Sequence, residues 1–152
     1  MYQNLHCHTK ISDGQLTHLE ALNLCSKNNI AIVAFTDHDI LPNKKIIKAL
    51  RGKINHPTKW IIGIEISSGW PKELGGGATS NFHLLGLFVD PFNQVMLNHC
   101  QKAQEARIKR AKTMIKNLSS FGLDISEKDC LKESEDDAIG RPHIAAAIMK
   151  KR

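Results

Sequence analysis

Ile30-Ala31-Ile32-Val33-Ala34-Phe35 is an unbroken apolar run that passes directly into Thr36-Asp37-His38-Asp39. A half-exposed strand would alternate apolar and polar residues, so a continuous run of this length predicts a strand buried on both faces. The ionisable groups massed after it have no packing role, because burying an unpaired charge is costly. In parallel α/β folds the C-terminal ends of strands are where catalytic groups collect. This stretch therefore predicts both an α/β fold and the location of a site.

The flanking sequence extends the pattern. Leu5 to Thr9 reads as a short N-terminal strand, and Ser12-Asp13-Gly14 as a turn. Thr17 and Glu20 have capping-box spacing and open a helix with Ala21, Leu22 and Cys25 on one face, ended by Asn28-Asn29. Pro42-Asn43 precedes a second helix with Ile46, Ile47 and Leu50 inward. Trp60 to Ile66 reads as another buried strand, Ser67 to Asn81 with Gly75-Gly76-Gly77 as a loop, and His83 to Val89 as a strand. Such alternation predicts a largely parallel sheet.

After Asp90-Pro91 the character changes. Residues 94–118 predict a long basic helix with Leu97, Cys100, Ile108, Ala111, Ile115 and Leu118 on its apolar side, closed by Gly122. Ser126 to Asp129 opens a shorter helix, Glu133 to Asp137 is an acidic loop, and Gly140-Arg141-Pro142-His143 begins a last helix. The expected organisation is a first unit over 1–93, a helical insertion over 94–139, and a return to the first unit over 140–152.

The 152 residues suit one domain, and 41% apolar with 24% charged residues is a globular composition. No apolar run reaches the roughly 18–20 residues of a membrane helix, and the N-terminus has no secretory leader pattern. Cys7, Cys25, Cys100 and Cys130 form no CxxC pair, which predicts reduced thiols and a cytoplasmic protein. Aromatic residues at 5% leave little for the stacking platforms of single-strand binders. The net charge of +6 gathers along Lys102, Arg107, Lys109, Arg110, Lys112 and Lys116, a solvated helix face or a stripe for phosphates.

His6 and His8 lie two apart on a predicted strand, so their side chains share a face. Asp13 follows in a turn that can fold back beside them, while His38, Glu65 and His83 stand near strand ends. Histidine with Asp and Glu suits Mn, Zn or Fe, with Mg also admitted and Ca disfavoured. Two or three such divalent ions together serve phosphoryl transfer to water.

Leu5-His6-Cys7-His8-Thr9, Ser12-Asp13-Gly14, Thr36-Asp37-His38-Asp39, Gly63-Ile64-Glu65-Ile66 and His83-Leu84-Leu85-Gly86 together resemble the PHP (polymerase and histidinol phosphatase) domain. Gly140-Arg141-Pro142-His143-Ile144-Ala145 resembles its bacterial branch of nucleotide phosphatases and a 5′→3′ exoribonuclease rather than histidinol-phosphate phosphatases or polymerase-associated exonucleases. The resemblance implies an α/β fold, here an incomplete distorted β/α barrel of the PHP type with a helical insertion. It implies one metal on His6, His8 and Glu65, a second on Asp13 and His38, and a third on Glu65 and His83. Asp37 and Asp39 would steady these ligands, and Arg141 and His143 would meet the substrate phosphate. His18, His56 and His99 match no motif and read as surface or helix residues. Asn4 stands where the family commonly has Asp. The family's later strands, with a further histidine and an Asp-x-His pair, have no counterpart here, so the resemblance covers about the first half of the domain.

The expected function is metal-dependent hydrolysis of phosphate esters in nucleotides or short RNA, impaired without the later ligands. The competing readings are a non-catalytic metal- or nucleic-acid-binding remnant, and a half-barrel that self-associates or is completed by a complementing C-terminal chain. No membrane partner is expected.

Overall fold

In a computed structural model, residues 2–69, 81–133 and 139–151 are described. The elements are β1 (Tyr2–Cys7), α1 (His18–Lys27), β2 (Ile30–Phe35), α2 (Lys44–Arg51), β3 (Lys59–Gly69), β4 (Asn81–Leu87), α3 (Gln94–Ser120), α4 (Glu127–Leu131) and α5 (Arg141–Lys150). The sheet has the order β1-β2-β3-β4. With its helices it makes a half-barrel.

The helix boundaries follow the signals in the chain. Thr17 caps α1 in a full capping box with Glu20, and Asn29, at φ 57°, turns the chain out of it. Asn43 caps α2, whose Ile47 and Leu50 are buried. Ser126 and Asp129 form the capping box of α4. Gly122, at φ 80°, lets the chain leave α3, and the Leu123 amide donates back to the Leu118 carbonyl.

The sheet departs from the predicted pattern in several respects. β1–β2 and β2–β3 are parallel, but β3–β4 is antiparallel. Residues 70–80 are too few for the crossover that a parallel pair needs, so β4 returns as a hairpin partner. Gly75-Gly76-Gly77 and most of the acidic 133–137 stretch lie outside the described residues. β3 also runs beyond Ile66, which leaves Glu65 within the strand rather than at its end. In β2 full burial is confined to Val33, Ala34 and Phe35.

Among the described residues there are two apolar clusters. One packs α1 and α2 on the sheet through Leu22, Val33, Phe35, Leu50 and Ile64 and takes in Cys100 of α3. The other joins α3, α4 and α5 through Ala111, Ile115, Cys130, Ile144 and Ala147. Leu97 and Ile108, expected on the apolar side of α3, are instead exposed at 37% and 36%. No helix among the described residues is long and apolar enough to cross a membrane.

Gly63 shows how tightly β4 is seated. A Cβ there would stand 2.6 Å from the Gly86 carbonyl oxygen and 2.9 Å from Thr36 Cγ2. Gly63→Ala should therefore destabilise the chain by about 1–3 kcal/mol, the usual range for overpacking, as read by urea unfolding. A stability equal to wild type would contradict this β3–β4 contact.

Candidate metal centre

β1 and β2 deliver His6, His8 and His38 to one end of the sheet, and the register of β3 and β4 brings the rest. His38 and Glu65 form a parallel bridge beyond β2, in which the Glu65 amide donates to the Asp37 carbonyl and the Asp39 amide to the Glu65 carbonyl. His83 pairs with Ser67, one strand repeat from Glu65, so its ring reaches back over the same end.

Glu65 is the hub and is only 4% exposed. Its Oε2 lies 3.0 Å from His6 Nε2, 2.7 Å from His8 Nε2 and 3.3 Å from His38 Nδ1, while its Oε1 contacts His83 Nδ1. Asp13 folds back as its turn allows, with Oδ1 2.7 Å from His8 Nδ1 and Oδ2 3.9 Å from His38 Nε2. Gly14 makes that turn: a Cβ on it would fall 2.4 Å from the His8 carbonyl oxygen. All six sequence-predicted ligands are thus brought together.

Divalent ions fit this set. Ligand atoms of His6–His8–Glu65, of His8–Asp13–His38 and of His38–Glu65–His83 each lie within 4.8 Å of one another. His6 Nε2, His8 Nε2 and Glu65 Oε2 form a triangle with sides of 2.7–3.0 Å. Metal–ligand bonds of about 2.1 Å give edges of roughly 3.0–3.4 Å in octahedral or tetrahedral shells, close to that triangle. His38 Nδ1 is buried and makes no hydrogen bond despite its approach to Glu65, so a buried lone pair or N–H is left unused. A neutral imidazole offers one lone pair, so His8 and His38, each shared by two groups, can serve one ion apiece. The cysteines are not candidates. Burial pushes the Cys7 thiol up to about 11, with Cys25 and Asp37 adding to the effect, and all four cysteines are free.

Two buried carboxylates support the cluster differently. Asp37 accepts from the Thr9 amide at 2.6 Å, from the Thr9 hydroxyl and from Ser12 Oγ at 2.7 Å, which ties the segment after His8 to β2. His18 lies beside it, with Nε2 3.6 Å from Asp37 Oδ2, and is 3% exposed. It is therefore no surface residue, and no motif in the sequence signals its burial. Burial pushes its pKa down against the pull of Asp37. Asp39 turns away from the cluster. Its Oδ1 accepts from the Ser67 amide and its Oδ2 from Arg107. Burial would raise its pKa, but the Ser67 amide and the Arg107 guanidinium outweigh that and hold it below the ordinary value.

A cleft of about 510 Å³ opens over the centre, bordered by Asp13, His38, His83, Arg107, Arg110 and Arg141. Arg141 stands at the N-terminus of α5. His143 is not among the residues lining the cleft, and its Nδ1 accepts from the Gly140 amide. His56 faces Asn23, and His99 lies on α3 with Nε2 3.8 Å from Asp39 Oδ1.

The Asp13–His8 pair gives a pH test in the metal-free chain. The single hydrogen bond donated by His8 Nδ1 to the Asp13 carboxylate raises the His8 pKa above 6.5 and lowers Asp13 from 3.8 to about 2. The His8 contribution is complete below 6.5 and lost as pH rises through its raised value. The Asp13 contribution is complete above 3.8 and lost as pH falls toward 2. The pair should therefore stabilise most between these ordinary values. Asp13→Asn should lower the His8 pKa followed by NMR, and an unmoved titration would refute the pairing.

No family model matches the chain. Among curated proteins it is 27% identical over 147 residues to a 3′,5′-nucleoside bisphosphate phosphatase of Chromobacterium violaceum, covering 96% of this chain and 48% of that protein. It is 25% identical to the 5′-3′ exoribonuclease Rnm of Escherichia coli, covering 97% and 48%. The chain spans about half the length of the curated relatives it matches. An amidohydrolase from Chromobacterium violaceum, solved with bound sulfate and no metal, has the same fold, with a TM-score of 0.83 at 24% identity over 99% of this chain and 50% of that one. A protein from Bifidobacterium adolescentis, assigned as a metal-dependent phosphoesterase, superposes with a TM-score of 0.80 at 29% identity, again over 99% and 50%. The curated relatives are thus a nucleotide phosphatase and an exoribonuclease, a solved neighbour is assigned as a metal-dependent phosphoesterase, and the chain spans about half the length of each.

Proposed function

We propose that the chain carries the metal centre of a phosphoesterase that acts on nucleotides or short oligonucleotides. The observation that carries this reading is the convergence of four imidazoles and Asp13 around the buried Glu65 carboxylate, beneath a cleft with arginines on its rim. The activities of the bisphosphate phosphatase and exoribonuclease relatives support it.

In this reading His6, His8 and Glu65 hold one divalent ion, Asp13 and His38 a second, and Glu65 with His83 a third. Mn, Zn or Fe suits these donors, and Mg is admitted. Such ions supply Lewis acidity and activate water for attack at phosphorus. Glu65 suits the bridging role because its two oxygens face different histidines. Asp13 accepts from His8 Nδ1, which leaves His8 Nε2 as the lone-pair nitrogen directed at Glu65. Arg141 offers a planar fork for phosphate oxygens at the cleft edge. His143, whose Nδ1 accepts from the Gly140 amide, is the second residue of this reading that would meet the substrate phosphate.

Metal binding is the first test. Glu65→Gln should weaken Mn²⁺ binding by calorimetry about 100-fold or more, since it removes the charge shared by the histidine groups and one acceptor oxygen. Equal affinity in wild type and variant would overturn the centre. Arg141→Ala should weaken adenosine 3′,5′-bisphosphate binding while leaving Mn²⁺ affinity unchanged, because a guanidinium does not bind cations.

A second reading, a half-barrel that pairs with another chain or a second copy, is favoured by the sheet margins. β1 and β4 are the outer strands of the sheet, and Tyr2, Leu84 and Phe88 are 74%, 56% and 79% exposed. Sedimentation of the purified chain decides pairing with a second copy, which a stable monomer at all concentrations removes.

A further inference from the structure

Arg107 lies on the basic face of α3, which the sequence leaves as a solvated face or a stripe for phosphates, and it borders the cleft. Its contacts give it a further role. Nε donates to Asp39 Oδ2 at 3.1 Å, and Nη2 donates both to that oxygen and to Ser67 Oγ at 3.0 Å. Gln104, one turn earlier, donates Nε2 to the Asp39 carbonyl. Asp39 is only 1% exposed; Arg107 pairs with its Oδ2, and His99 Nε2 stands 3.8 Å from its Oδ1.

We propose that Arg107 is a positioning residue whose guanidinium clamps Asp39 to Ser67 and so sets the separation of His38 and Glu65 from helix α3. The inference rests on the metal-centre reading above. Asp39 follows His38 directly and has φ 52°, a left-handed conformation that a non-glycine residue keeps only when surrounding contacts hold it. Those contacts are the Ser67 amide on Oδ1 at 2.8 Å, the Asp39 amide on the Glu65 carbonyl at 3.0 Å, and Arg107. Ser67 lies two residues beyond Glu65, so the clamp grips the chain beside one ligand from each strand. Without Arg107 the buried carboxylate would keep the Ser67 amide on Oδ1 but lose the guanidinium on Oδ2, and the least costly response is for Asp39 to turn toward water. That motion would carry His38 away from Glu65. The clamp uses Nε and Nη2 and leaves Nη1 out of it, so Arg107 can hold Asp39 while it borders the cleft.

The test measures Mn²⁺ affinity by calorimetry and Ser67 amide exchange by NMR in the metal-free chain. Arg107→Met should weaken Mn²⁺ binding about 10- to 100-fold, the range for residues that orient metal ligands, and should speed Ser67 exchange. Arg107→Lys, which keeps the charge without the fork, should lose less. Adding Asp39→Asn to Arg107→Met should restore part of the affinity, because the buried charge is then gone. Lys109→Met removes the same charge from an exposed site on α3 and should change neither readout. If Arg107 acted only through its field, its removal would strengthen cation binding. That sign, or unchanged affinity and exchange in Arg107→Met, overturns the proposal. So does a variant that loses only inorganic phosphate binding. Failure of the wild-type chain to bind Mn²⁺ would sink the metal centre itself. The clamp is then decided by Ser67 exchange, with faster exchange in Arg107→Met supporting it and unchanged exchange overturning it.

Discussion

The Glu65 carboxylate sits almost wholly out of water with imidazoles from three strand ends aimed at it. A bare carboxylate in that position would be expensive to bury, so every neighbouring element has to bring it positive charge or donors. Burial works to raise its pKa, yet His6 and His83 by hydrogen bonding, and His38 and His8 by charge, keep it lowered. The strand register, the Asp13 turn and the hairpin return of β4 all have to be met together for this to happen. Apolar packing of Leu22, Phe35 and Leu50 makes the sheet, but the carboxylate dictates how its ends are aligned.

The backbone contributes as much as the side chains. The His38–Glu65 bridge extends pairing past the end of β2, so the ligands are fixed through main-chain hydrogen bonds and not by rotamers alone. Asp37 and Asp39 flank His38 and point to opposite jobs. One ties the β1 end down through Thr9 and Ser12, and the other reaches helix α3 through Arg107. A single tetrapeptide therefore joins β1, β3 and α3.

Much of this was legible in the chain itself, for reasons that differ by residue. His6 and His8 share an alternation period, and the unbroken run before His38 leaves its polar end no role in packing. Thr17, Asn43 and Ser126 announce their helices because caps act locally. The direction of β4 was not legible, since an apolar run has no polarity and the hairpin depends on the length of its connection. Burial of His18 beside Asp37 and the grip of Arg107 on Asp39 were also hidden. These contacts span 19 and 68 residues of sequence, and no periodic pattern encodes them.

Helix α3 has one foot in each apolar cluster, with Cys100 in the first and Ala111 and Ile115 in the second. Arg107 falls on the span between them, where Ile108 is exposed and no cluster grips the helix directly. The helix thus behaves as a beam resting on two supports, and a load on one is felt at the other. Heat or a mutation that loosens α4 and α5 would let the far end of the beam swing. Fitness effects of changes at Cys130 or Ala147 would then read as defects of the site, a form of remote sensitivity in which packing 30 or more residues downstream governs the alignment of strands laid down much earlier in the chain.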